Sequence, residues 1–280
     1  MGSSKLLPYI AIVRPLNVCL TAGGVLLGGW LAVANLSPLL WLASLSAALI
    51  AAAGYVQNDL VDIEIDRINH PDRPLPRGTV SGRFARTFSA IAYTIGLIVS
   101  IPLPIACRIL ALGIVGSLFL YNIWLKHLPL VGNLTVAATG GAPFAFGGLT
   151  VELVAPSLLP ASLAVIFHLS REILKDVQDR MGDERASIAT LPVLAGETAS
   201  KTIVTVLLLG LVVAIPLPAF WNWAGPAFLL LGLALSALLI LTVCLVWQAQ
   251  EDALLERPSR LLKAGMLLGI AAFLLDSLIS

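Results

Sequence analysis

From Phe228 to Val246 the chain reads FLLLGLALSALLILTVCLV, with no charge and no polar face at any helical pitch. A helix apolar on every side belongs in a bilayer, so this run is read as a membrane span. It lies within a stretch near 225–247, and comparable stretches lie near 16–35, 38–57, 84–103, 105–125, 130–150, 156–174, 199–217 and 259–279. At about 20 residues each, nine spans take up about 180 residues and leave roughly 100 for short connections. A β-barrel would instead show alternating segments of about ten residues. The expected architecture is therefore all-α: a polytopic membrane protein of nine transmembrane helices forming one domain over residues 1–280. With 58% hydrophobic and 12% charged residues, the chain is too poor in charge for a soluble enzyme.

The formal net charge of +1 gives no basic excess for nucleic acid, and no nucleic-acid partner is expected. Cys19, Cys107 and Cys244 are far apart in apolar segments and have no metal or redox spacing, so they read as packing residues. The apolar run after Lys5 and Arg14 is long and lacks a small-residue cleavage pattern, which makes it a first span rather than a cleaved signal.

A cytoplasmic N-terminus places every one of the 17 basic residues except Arg108 on the inner side. The positive-inside bias thus favours nine spans in the cell membrane, with an external C-terminus. Trp30, Trp41, Trp221 and Trp223 then fall near outer ends, and Trp124 and Trp247 near inner ends. The fifth span holds Gly132, Gly140, Gly141, Pro143, Gly147 and Gly148. It reads as a kinked cavity wall or as close packing through small residues, the latter being the commoner use.

Two inner segments carry most of the acid. NDLVDIEIDRINHPDRPLPRG follows the second span, and REILKDVQDRMGDERASIATLPV ends the sixth. Both contain DxxDxxxD: Asp59, Asp62 and Asp66 in the first, Asp176, Asp179 and Asp183 in the second. On a helix these offsets align side chains along one face, which Asn58 and Glu172 can join. Carboxylates cost about 2.5 to 3.5 kcal/mol each at mid-membrane, so six of them require an aqueous inner cavity, cations, or both. Oxygen donors without Cys or convincing His partners favour a hard cation, and Mg2+ bridges carboxylates to substrate phosphates. Arg67, Arg73 and Arg77 beside the first triplet, and Arg171, Lys175 and Arg180 beside the second, suit the same phosphates. A single triplet is equally well read as a solvated helix end; two copies with one spacing make that reading much weaker.

At these residues the chain resembles the UbiA-type intramembrane prenyltransferase superfamily. NDLVDIEID matches its first NDxxDxxxD motif, REILKDVQDRMGD its second aspartate-rich region, and RPLN, RPLPRG and YNIWLKHLPLVGN also fit. The resemblance implies nine helices around a central cavity, with an inner polar cap where two Mg2+ ions hold a prenyl diphosphate. It assigns Asn58, Asp62 and Asp66 to one metal group and Asp179 and Asp183 to the other, with Asp59 and Asp176 assisting. Arg73, Arg77, Tyr121 and Lys126 match positions that contact the diphosphate, and Asn17 is a candidate to reach the cavity. Tyr121 reads equally well as an aromatic-belt residue and Lys126 as an inner-end anchor. Within the superfamily, the second motif and its ASIATLPV continuation are most similar to the ether-lipid branch, from which Gln178 departs.

The implied reaction is Mg2+-assisted loss of diphosphate from an allylic donor, followed by capture of the cation by an acceptor away from water. In the ether-lipid branch the donor carries a geranylgeranyl group, and the acceptor is a lipid glycerol phosphate whose phosphate is expected to meet Arg171 or Lys201. Two rivals stand beside it. One keeps the donor and prenylates an aromatic ring; the other is a divalent-cation or proton-coupled transporter, since intramembrane carboxylates also mark ion paths. His70 and His127 are expected at the interface, and His168, one turn before Glu172, between helices. The expected partners are a prenyl diphosphate, a lipid acceptor and membrane lipids.

Overall fold

Every long apolar stretch forms a helix, and the ends of the helices are set by particular residues. The computed structural model describes residues 3–185, 188–249 and 255–279, with side chains from Leu6 onward. The helices are α1 (Ser3–Ala11), α2 (Pro15–Val33), α3 (Pro38–Val61), α4 (Ile63–Asn69), α5 (Gly82–Ser100), α6 (Ile105–Ile123) and α7 (Val131–Thr150). They continue as α8 (Ala155–Arg185), α9 (Leu191–Ala195), α10 (Glu197–Ala214), α11 (Leu217–Phe220), α12 (Pro226–Gln248) and α13 (Glu256–Ile279). Ser37 starts α3 by accepting from Leu40 N, with Pro38 at the first helical position. Ser81 starts α5 in the same way through Phe84 N.

Among the described residues, seven stretches are long and apolar enough to cross a bilayer: Leu6–Val33, Pro38–Val61, Ile105–Ile123, Ala155–Arg185, Glu197–Phe220, Pro226–Gln248 and Glu256–Ile279. Helices α5 and α7 stand where the third and fifth of the nine expected spans were placed. They are less apolar, α5 because Arg83 and Arg86 lie in its first turns, α7 because of its Gly, Thr and Asn. The sixth expected span ended at 174, yet α8 runs on to Arg185. The charged residues of that extension hide a buried stripe, Ile173, Leu174 and Val177, at helical spacing.

The chain divides into two compact units, Met1–Leu125 with Pro143–Ser157, and Lys126–Ala142 with Leu158–Ser280. In the first, α3 packs against α2, α5 and α6, around a core that includes Val25, Leu40, Ile50, Tyr93, Leu103, Cys107 and Phe146. Two glycines let backbones touch there: a Cβ on Gly28 would overlap the Phe144 carbonyl, and one on Gly147 the Val25 carbonyl. Small-residue packing is thus what these glycines provide. A second cluster gathers Ile12, Val56, Leu75, Val80 and Ala85 beside the first acidic segment.

In the second unit, α12 packs against α10 and α13, and Phe167, Ile173, Leu174, Val177, Leu208, Leu239 and Leu262 form its core. Gly140 lies against the His168 ring and Gly141 against Ala161 and Val165, which fits the expected interhelical place of His168. At the start of α12, Asp276 of α13 accepts from Gly225 N at 2.8 Å and Phe228 N at 3.0 Å. The carboxylate thereby caps a helix whose own N-cap, Gly225, has no side chain to offer.

Candidate functional site

The first acidic group straddles a helix junction. Helix α3 ends at Val61, Asp62 sits between helices at φ −88° and ψ 10°, and α4 begins at Ile63. Helical hydrogen bonds continue on both sides, Asp62 N to Asn58 O at 2.9 Å and Asp66 N to Asp62 O at 2.8 Å. The expected single stripe is therefore carried by two helical segments that meet at its middle carboxylate.

Asp59 and Asp66 are only 3% and 4% exposed, and arginines answer them. Arg14 pairs with Asp59, while Arg73 Nη1 reaches Asp66 at 2.7 and 2.6 Å and lies 3.7 Å from Asp59. Burial pushes the Asp66 carboxyl above its usual range, against the pull of Arg73. Arg14 itself stands at φ 55°, just before Pro15, with its guanidinium 5.4 Å from the centre of the Tyr55 ring.

Asp62 is held by a neutral group. Asn58 Nδ2 donates to Asp62 Oδ2 at 2.7 Å and to Asn122 Oδ1 at 3.3 Å. Asn122 is 4% exposed and donates its own Nδ2 to the Leu118 carbonyl at 3.0 Å.

The neighbouring arginines differ in use. Arg67 turns to Glu64 on an exposed face, and exposed Arg77 lies 3.6 Å from Asp72. Of the three arginines expected beside this triplet, Arg73 alone joins its carboxylates. Tyr121 lies half-buried near the end of α6, Lys126 lies in a 3-10 turn at Leu125–His127, and half-buried Asn17 is in the first turn of α2.

The second acidic group lies on one continuous helix, α8. Asp176 accepts from Asn133 Nδ2 at 2.7 Å. Asp179 is half-buried and Asp183 is 7% exposed. Arg171 pairs with its neighbour Glu172 at 2.8 Å, and Lys175 and Arg180 are half-buried along the same helix. Gln178 accepts from Ser259 at 2.7 Å, so the residue that departs from the ether-lipid pattern ties α8 to α13. Ala186 and Ser187, which open the ASIATLPV continuation, lie outside the described residues.

Lys201 is corrected by its surroundings. Its ammonium is buried, 2.6 Å from Glu197 and 3.0 Å from the Ala249 carbonyl at the end of α12. It closes a helix C-terminus, where a cation is favoured, instead of facing an acceptor phosphate.

Among the described residues, no three His, Cys, Asp or Glu side chains converge to hold an ion. The donors are nevertheless of the right chemistry: carboxylates and one amide oxygen, with no sulfur or imidazole among them, suit a hard ion that keeps water and phosphate oxygens in its shell. Arg14, Asn122 and Asn133 were not singled out from the sequence, although each lies within a quoted motif.

The UbiA prenyltransferase family matches residues 18–269. A digeranylgeranylglyceryl phosphate synthase of Methanopyrus kandleri is 37% identical over 268 residues, covering 95% of this chain and 97% of that protein. A solved structure of a digeranylgeranylglyceryl phosphate synthase in membranes superposes at a TM-score of 0.77 with 30% identity, over 99% of this chain and 100% of the other. A UbiA homologue from Archaeoglobus fulgidus bound to DMAPP and Mg2+ shares the fold at a TM-score of 0.69 and 17% identity, over 95% of this chain and 98% of that one.

Proposed function

The chain belongs to the UbiA prenyltransferase family, and from that premise we propose that it transfers a geranylgeranyl group from its diphosphate to a lipid glycerol phosphate, forming an ether. Family membership sets the cation-transporter reading aside. The observation that carries the proposal is the burial of Asp59, Asp66 and Asp183. Solvated helix ends would leave these carboxylates in water, whereas here they are withdrawn from it and given chosen partners. The name borne by the Methanopyrus kandleri relative supports the ether-lipid acceptor. The ligands of the Archaeoglobus fulgidus homologue support a diphosphate donor and Mg2+.

In this reading Asn58, Asp62 and Asp66 would hold one Mg2+, and Asp179 and Asp183 another, with Asp59 and Asp176 assisting. When bound, Mg2+ reduces the charge on the departing diphosphate and makes it a better leaving group. Arg73, Tyr121 and Lys126 hold diphosphate oxygens, with Arg67, Arg77, Lys175 and Asn17 at the periphery, and Arg171 takes the acceptor phosphate. The allylic carbon–oxygen bond breaks with its electron pair on the diphosphate. The glycerol hydroxyl oxygen then bonds to the allylic carbon and passes its proton to one of the aspartate carboxylates. Apolar helices keep water from the cation during this interval. The donor enters from the cytoplasmic side, because the acidic groups and their basic neighbours share the loops assigned to that side by the positive-inside bias.

The test is direct. Purified protein is incubated with Mg2+, geranylgeranyl diphosphate and a panel of lipid and aromatic acceptors, and products are identified by mass spectrometry. An ether-linked digeranylgeranyl lipid phosphate is expected. Prenylation of a hydroxybenzoate or homogentisate alone would replace the acceptor while keeping the donor chemistry.

A further inference from the structure

Asn58 is a primary amide, and its two ends do opposite things: the nitrogen donates, while the oxygen accepts or ligates a cation. Something must decide which end points where, because a flipped amide would turn an N–H toward any metal. The structure contains a chain of contacts that decides it. The main-chain carbonyl of Leu118 can only accept, and Asn122 Nδ2 donates to it at 3.0 Å. The Asn122 oxygen is thereby turned toward Asn58, whose Nδ2 lies 3.3 Å away. The same nitrogen donates to Asp62 Oδ2 at 2.7 Å. Both Asn58 N–H bonds are directed in this way, and Oδ1 is the end left for a ligand.

We propose that Asn122 is a positioning residue: through the Leu118 carbonyl it fixes the polarity of the Asn58 amide, so that Asn58 presents oxygen and not nitrogen to a divalent cation. The proposal rests on the reading of the first acidic group as a metal site. Asn122 is 4% exposed and lies 64 residues from Asn58 in sequence, so the relay depends on the packing of α6 against α3 and not on local helix geometry. A neutral amide suits the role. A lysine or arginine at position 122 could only donate, so it would draw Asn58 Oδ1 toward itself and turn the nitrogen toward the ion.

The experiment uses the full chain, purified in lipid nanodiscs, with Mn2+ binding read by electron paramagnetic resonance and no substrate present. Asn122→Leu is expected to weaken Mn2+ binding by about 10-fold, the low end of what outer-shell partners of metal ligands contribute. Asn122→Ala, which adds no volume, carries the same expectation if the leucine variant does not fold. The decisive arm is the Asn58→Asp background, where both ends of residue 58 are oxygen and polarity no longer matters. There Asn122→Leu is expected to change Mn2+ affinity by less than about 2-fold. A merely structural role for Asn122 would cost the same in both backgrounds, and that result would overturn the inference. So would binding that is lost in Asp62→Ala yet unchanged in Asn122→Leu. Binding unchanged in Asp62→Ala overturns the metal reading itself, and the inference with it.

Discussion

Asn133 holds Asp176 by a 2.7 Å hydrogen bond from its side-chain nitrogen to Oδ2. An amide donor orients the carboxylate without bringing a positive charge beside a bound cation. Asn133→Leu is therefore expected to raise the Mg2+ concentration needed for half-maximal turnover by about 10-fold, with turnover at saturating Mg2+ close to wild type. A Mg2+ titration of initial rates checks this; a fall in the plateau with no shift in midpoint would count against it.

Removing a proposed ligand should be far more severe. Asp62→Ala or Asp179→Ala is expected to lower turnover by about 100-fold or more in protein that still elutes as a folded species on size-exclusion chromatography. Wild-type turnover should likewise stop in EDTA and return with added Mg2+. Full activity in EDTA is incompatible with the proposed chemistry.

Asp66 gives a pH dependence with a definite sign. Burial raises its folded pKa above the unfolded one, overriding Arg73. The folded chain thus binds this proton more tightly, and the contribution of Asp66 to stability is fully present below the unfolded pKa and lost as pH rises through the folded one. Asp66→Asn lacks that loss. In EDTA, the thermal midpoint of the variant minus that of wild type is expected to increase from pH 4 to pH 7. A difference that shrinks over this range would show that Arg73 outweighs burial.

Asp276 makes a prediction remote from the chemistry. Without its carboxylate the first turn of α12 loses acceptors for Gly225 N and Phe228 N. Asp276→Ala is expected to cost about 2 kcal/mol of stability, seen as a lower thermal midpoint, with turnover at low temperature unchanged.

Glycine substitutions should separate sharply by position. A Cβ on Gly28 or Gly147 meets a backbone carbonyl that cannot move aside, whereas nothing lies within 4 Å of one on Gly113 or Gly210. Gly28→Ala and Gly147→Ala are expected to destabilise by about 3 kcal/mol or more and to reduce the yield of folded protein. Gly113→Ala and Gly210→Ala should match wild type in the same chromatogram.

The helices were legible in the sequence because apolar runs of bilayer length have few other uses, and the duplicated spacing of Asp59, Asp62, Asp66 and Asp176, Asp179, Asp183 pointed to the acidic groups. The length of α8 was not, because the expected span ended at 174, before the run of charged residues, although the Ile173, Leu174 and Val177 stripe was there to be seen. The partners of the carboxylates were harder still. Arg14 lies 45 residues from Asp59, and Asn133 lies 43 from Asp176, so only tertiary packing joins them. Asp276 did carry a signal: a lone carboxylate in the apolar run LLDSLI needs a partner, but the sequence does not say which helix supplies it.

The junction at Asp62 makes the two copies of the acidic spacing different mechanical objects. In the second copy the carboxylates are fixed to a rod, and turning any of them means turning α8, whose own Ile173, Leu174 and Val177 are wholly buried. In the first, one residue's backbone dihedrals set the direction in which α4 leaves α3. A substitution near Val61 or Ile63 can re-aim Asp66 while leaving the span above it in place. The first copy can thus be re-aimed at one junction and the second only as a whole helix, so gradual change in the direction of the carboxylates has an easier route through residues 61–63 than through any part of α8.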